Sequence, residues 1–221
     1  MANIFKTSIG KKVIMSITGL FLILFITLHC VLNGAYLISA EAFDAVCEFM
    51  ALPVVTVMVP ILALGFIFHI IYAFIISWED YKARGRERYA VANSTKSDGW
   101  ASKNMLVLGA LVLIGLGLHL VNFWAKMQLQ DFIGTGAEMG SLRMEATFGN
   151  VLFYVLYIVW FVCLWFHLNH GFWSAFHTIG FSNDKWICRL RWIGIIYSTL
   201  LVIVFIAVAT KGLLVAKGIC C

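Results

Sequence analysis

Long apolar runs separated by short polar stretches organise this chain, and five of the runs exceed the roughly 20 helical residues that cross a hydrocarbon core of about 30 Å. They cover about Val13–Ile38, Leu52–Trp78, Asn104–Lys126, Phe148–Phe176 and Trp192–Val215. Helices are expected throughout, because lipid cannot satisfy an open sheet edge and no ten-residue alternating pattern suggests a barrel. The first run is too long for a cleavable leader, lacks a small-residue cleavage site and carries a histidine within Leu-His-Cys. The expected fold is all-α: a transmembrane bundle of five helices forming one domain over residues 1–221, without repeats, low-complexity tracts or linkers.

Composition agrees with this pattern: 62% of the 221 residues are hydrophobic and 12% charged, which a water-soluble domain of this size cannot bury. Charge then orients the spans. Lys6, Lys11 and Lys12, then Lys82, Arg84, Arg86, Arg88, Lys96 and Lys103, then Lys185, Arg189 and Arg191 make up twelve of the sixteen basic residues, and all fall on one side. By the positive-inside rule that side is cytoplasmic, which puts the N-terminus inside and the C-terminus outside. The +5 net charge therefore reports topology and lipid headgroups, and nucleic-acid binding is excluded. The longest connection, about Glu79 to Lys103, is too short to fold a soluble catalytic domain, so any chemistry belongs to the bundle or to a partner. The six cysteines form no CxxC, haem-attachment or zinc spacing.

The histidines carry the chemistry, since an ionisable group inside a span costs a few kcal/mol and by default marks a function. His29 lies seventeen residues beyond Lys12 and His119 sixteen beyond Lys103, each about 25 Å from the inner face at about 1.5 Å rise per residue. His69, nine residues before Trp78, and His167, ten before His177, both lie about 15 Å from the inner ends of their helices. Two level pairs at two depths are the arrangement that clamps two stacked porphyrins through neutral imidazoles. Gly65 and Gly115, one turn before His69 and His119, and Gly171, one turn after His167, would let a flat macrocycle approach the backbone. His29 has Phe25 and Asn33 at those places instead. Depth alone barely separates His167 from His170, whereas His177, about 15 Å nearer the inner face, suits a propionate or a headgroup.

These features resemble the dihaem cytochrome b membrane anchor of succinate:quinone oxidoreductases, the succinate dehydrogenase and fumarate reductase family. The likeness spans essentially the whole chain: five spans, N-in topology, four placed histidines, the SITGLFL stretch with Ser16 thirteen residues before His29, and FHLNHGFWS on the fourth span. The resemblance implies that His29 and His119 hold an outer haem b, that His69 and His167 hold an inner one, and that Ser16 and Trp100 contact propionates. It implies a quinone substrate, usually menaquinone, and cytoplasmic iron–sulfur and flavoprotein partners that interconvert succinate and fumarate. A bacterial inner-membrane location follows, and a dimer of heterotrimers is compatible with it. For the quinone's proton, Glu48 is preferred over Asp44 and Glu41 because it falls just before the second span. Two other readings stay open: the dihaem anchor of a formate dehydrogenase or hydrogenase, and a haem-free transporter that relays protons or binds a metal through its histidines.

Overall fold

The structure, a computed structural model, describes residues 7–84, 100–181 and 183–219; the predicted inner-face cations Lys6, Arg86, Arg88 and Lys96 lie outside them. All regular structure among the described residues is helical. Five helices are long and apolar enough to cross a membrane, which makes the chain a multi-pass membrane protein. They are α1 (Ser8–Ile38), the joined pair α3 (Pro53–Thr56) and α4 (Met58–Arg84), α6 (Met105–His119) with its continuation, α9 (Val151–Thr178) and α10 (Asp184–Ala216). Short helices fill the connections: α2 (Ala40–Ala51), α5 (Trp100–Lys103) and α8 (Gly140–Phe148). The continuation of α6 is a π-helical segment, Leu120–Leu129, that passes into α7 (Gln130–Phe132).

Local chemistry accounts for the boundaries. Thr7 caps α1 by accepting a hydrogen bond from the Gly10 amide at 3.1 Å. Ser39 is extended, so it ends α1, and its hydroxyl oxygen then accepts from the Ala42 amide at 3.0 Å to start α2. Pro53 opens α3 at a position where its missing N–H costs nothing. Pro60, which offers no amide to the carbonyl of Thr56, accounts for the interruption at Val57 between α3 and α4. Asn150 caps α9 at the Leu152 amide and Asn183 caps α10 at the Trp186 amide, both at 2.9 Å.

Lateral polar contacts show how the spans run. Between α1 and α10, Thr27 meets the Tyr197 hydroxyl at 2.7 Å, and Lys211 donates to the Leu37 carbonyl at 3.4 Å, so these two helices are parallel. Between α9 and α10, Trp165 donates to Thr199 at 2.9 Å and Tyr154 meets Thr210 at 3.0 Å, so these are antiparallel. The Trp160 indole donates to the Val112 carbonyl at 3.0 Å while Tyr157 meets His119, and Lys11 pairs with Glu79 while Phe21 meets Gly65, which makes α6/α9 and α1/α4 antiparallel as well. In lipid such bonds, worth about 0.6 kcal/mol on average, supplement van der Waals packing where no hydrophobic drive separates helix from solvent. Tyr157, Phe161, Leu164, Phe205, Val208 and Ala209 form the centre of the core between α9 and α10. The span that includes α4 buries none of its most apolar stretch; α4 packs on α1 and touches α6 at few points.

The connections at the end remote from Ser8 are structured, where the sequence suggested loops. Helix α2 buries Phe43, and Asp44 accepts from the Ser141 amide at 2.7 Å and from its hydroxyl at 2.6 Å, capping α8 from across the bundle. Gly140 permits this crossing, since a Cβ there would stand 2.5 Å from the Cys47 sulfur. The third span runs on beyond Lys126 to Phe132, and Phe148, expected to open the fourth, closes α8 instead.

Two outcomes follow. Asp44→Ala should lower unfolding stability in micelles by about 2 kcal/mol, because it strips charged hydrogen bonds from a half-buried cap, whereas Glu48→Ala, on an exposed position of the same helix, should change it by less than about 0.5 kcal/mol. Burial, followed by the charges of Asp44 and Glu48, pushes the Cys47 thiol up to about 12. A maleimide at pH 8 should therefore label exposed Cys188 and spare Cys47, with Cys47 reacting only as the pH approaches that value.

Candidate cofactor site: two histidine pairs

Four spans each contribute one imidazole, and the rings meet two by two. His29 on α1 faces His119, the last residue of α6, with ring centres 5.6 Å apart and planes at 89°. His69 on α4 faces His167 on α9 with centres 6.4 Å apart and planes at 71°. Two helices measure the spacing between the pairs independently. Gly19 lies against His69 and Gly109 against His167. Each glycine precedes by ten residues the histidine that its own helix gives to the first pair, which is about 15 Å along the axis.

The surroundings of the two pairs differ. Around the first, Phe25 stacks on His29 at 5.4 Å, and Phe123 and Trp160 lie tilted against His119 at 5.2 and 5.7 Å. Tyr157 closes the group at 6.3 Å, accepting from Asn122 at 3.5 Å. Asn122 and Phe123 belong to the π-helical segment that begins immediately after His119, and such wide turns are rare and recur at functional sites. Around the second pair the contacts are small or polar: Gly19, Gly109 and the Thr18 hydroxyl, 3.3 Å from His69 Nδ1.

The glycines chosen by their one-turn spacing do other work. Gly65 admits the Phe21 ring, whose Cε1 would lie 2.4 Å from an added Cβ, and Gly115 admits Trp160, whose Cδ1 would lie 2.0 Å away. Gly171 faces only Met105. Gly19 and Gly109 are the ones that touch imidazoles, and each belongs to the helix opposite its histidine, so spacing within one helix does not find them. Nor does such spacing mark Thr18, which lies eleven residues before His29 and so about 20° from the same stripe.

Ser16 is buried and donates to the Lys12 carbonyl at 3.0 Å. Trp100 is 62% exposed and rests edge-on against Phe166 at 5.3 Å. His177 is exposed in the last turn of α9. His170 packs edge-on against Trp173 at 5.1 Å, and Arg191 lies over that indole at 4.6 Å, so His170 belongs to an aromatic–cation stack beside the second pair. At the remote end, Glu48 is exposed and Asp44 is committed to Ser141. Its own backbone amide and the Ser39 hydroxyl hold the Glu41 carboxyl below the usual carboxylate range.

The donor set bears on which group these pairs fit. No three His, Cys, Asp or Glu side chains converge among the described residues, so each pair offers two ligands. A bare protein-bound ion takes four or more ligands, whereas haem iron, held in plane by its macrocycle, takes two axial ones. Metal–imidazole bonds of about 2.0 Å on opposite sides of one ion place ring centres about 6.3 Å apart. The His69–His167 separation matches that value and the His29–His119 separation is somewhat shorter. The donor count at both pairs and the His69–His167 separation fit a bis-imidazole haem, while the His29–His119 rings would have to move apart to take a second. No protein-family model matches the chain, and no curated protein or solved structure is found similar to it.

Substitution at the glycines checks the packing around His119. Gly115→Ala should displace Trp160 and break its bond to Val112, which costs about 1–3 kcal/mol and shifts tryptophan emission. Gly117→Ala, with open space around the added Cβ, should be neutral or stabilising by up to about 1 kcal/mol.

Proposed function

We propose that the chain carries electrons across a membrane through two bis-histidine b haems, as the anchor of a succinate:quinone oxidoreductase. The observation that carries this reading is the pair of imidazole pairs, 5.6 and 6.4 Å between ring centres, stacked along one bundle. His29 and His119 would hold one haem and His69 and His167 the other, and haems so held would supply one-electron transfer.

The chain's own residues do the rest. Phe25, Phe123, Tyr157 and Trp160 keep water from the first pair, and the aromatic cage fixes the His119 ring. Ser16, Trp100 and His177 are placed toward the second pair's end of the bundle, as propionate contacts there would require. The basic end would lie in the cytoplasm by the positive-inside rule and dock an iron–sulfur subunit that a flavoprotein feeds or drains. At the other end a quinone, menaquinone by resemblance, would exchange protons with Glu48, the exposed acid of α2. This assignment supports a multi-pass protein of the bacterial inner membrane.

The purified protein should contain two b haems per chain by pyridine haemochrome assay, and a haem-free protein overturns the proposal. His69→Ala and His167→Ala should remove the same haem, His29→Ala and His119→Ala the other, while His170→Ala keeps both. A flavin- and iron–sulfur-containing pair that co-purifies and supports quinol-dependent fumarate reduction separates this reading from the anchor of another respiratory oxidoreductase.

A further inference from the structure

The His69 imidazole lies where α4 meets α1, and its Nδ1 is 3.3 Å from the Thr18 hydroxyl oxygen. That hydroxyl has a single proton. Two carbonyls of its own helix compete for it at shorter range, Ile14 at 2.9 Å and Met15 at 3.0 Å. With the proton drawn to the helix, Thr18 has only lone pairs to offer His69, and the bond between them forms only if Nδ1 carries the hydrogen. Nε2 is then the nitrogen left with a free lone pair. Gly19 makes the approach possible, because His69 Cε1 stands 3.5 Å from the position of an added Cβ, with no bulk between ring and helix. His167 is held differently: its Nδ1 is buried without a hydrogen-bond partner and faces Gly109.

We infer that Thr18 is a positioning residue that selects the Nδ1–H tautomer of His69 and strengthens Nε2 as a donor, making His69 the stronger of two unequal ligands in its pair. This rests on the haem reading above. An acceptor on the remote N–H raises the electron donation of a ligating imidazole, and loss of such a partner typically weakens metal binding 10- to 100-fold. A stronger donor favours ferric over ferrous iron, so the bond holds the potential of that haem down.

The test is a spectroelectrochemical titration of the intact complex in the wild type, Thr18→Val and Thr18→Ser, with the inner haem identified by its absence from His69→Ala. Thr18→Val keeps the shape and removes the acceptor. The midpoint of the inner haem should rise by about 59 mV, a tenfold loss of ferric preference for a one-electron couple, while the outer haem stays put and Thr18→Ser titrates like wild type. Selective loss of the inner haem from Thr18→Val, with both haems kept in Thr18→Ser, supports the same role. An unchanged inner midpoint in Thr18→Val overturns it. So do equal shifts in both haems, or a Thr18→Ser variant that behaves like Thr18→Val, since the methyl packing and not the hydroxyl would then matter. A wild-type complex without haem removes the electron-transfer reading itself, and this inference with it, so the two failures are distinct.

Discussion

Every polar group within a hydrocarbon layer has to find its partner inside the bundle, and this constraint organises the molecule. Helices of Leu, Ile, Val and Phe have no reason to prefer one another over lipid tails, so the few polar side chains set the register between them. Thr27 and Cys30 index α1 against α10, Trp165 and Tyr154 index α9 against α10, and Trp160 indexes α6 against α9. The registers that these contacts impose bring His29 level with His119.

Helix α4 shows what happens where that seam is thin. It has no buried residue in its most apolar stretch, and the contacts that index it against α1 are the Lys11–Glu79 pair, the Thr18–His69 contact and the Phe21 ring set into Gly65. An exposed ion pair contributes up to about 1 kcal/mol, so the half-buried histidine and the Phe21–Gly65 contact share in defining where α4 sits. In the proposed carrier the same side chain that ligates iron also holds its helix, which couples assembly of the bundle to loading of the haem.

The sequence made the spans and the pairing of the histidines legible for one physical reason: a helix that crosses a layer of fixed thickness converts residue number directly into depth. Lys12 to His29 and Lys103 to His119 could therefore be compared without knowing which helices touch. Other features turn on partners, and no spacing along one helix reports those. Gly65 and Gly115 looked like room for a macrocycle, but Phe21 and Trp160 occupy those faces, while Gly19 and Gly109 touch the imidazoles of other helices. The acids Glu41, Asp44 and Glu48 are separable in sequence only by distance from the second span, yet α2 leaves Glu41 and Glu48 exposed and turns Asp44 to cap α8. The π-helical segment after His119 contains neither proline nor glycine to mark a widened turn in the sequence.

The two pairs are built from the same ligand type and differ in almost everything around it, and that difference has a chemical direction. Aromatic rings surround His29 and His119, supplying a low-polarity shell with no acceptor for the remote nitrogen among the ring contacts. Glycines and a threonine hydroxyl surround His69 and His167, with the His170–Trp173–Arg191 stack nearby at the basic end. Burial and hydrogen bonding are separate levers on a metal centre, and in the proposed carrier each pair would use a different one. A bundle that only needed to hold two identical cofactors would have no use for that asymmetry. One that must pass electrons between partners of different potential on its two faces gains a means of setting each step separately.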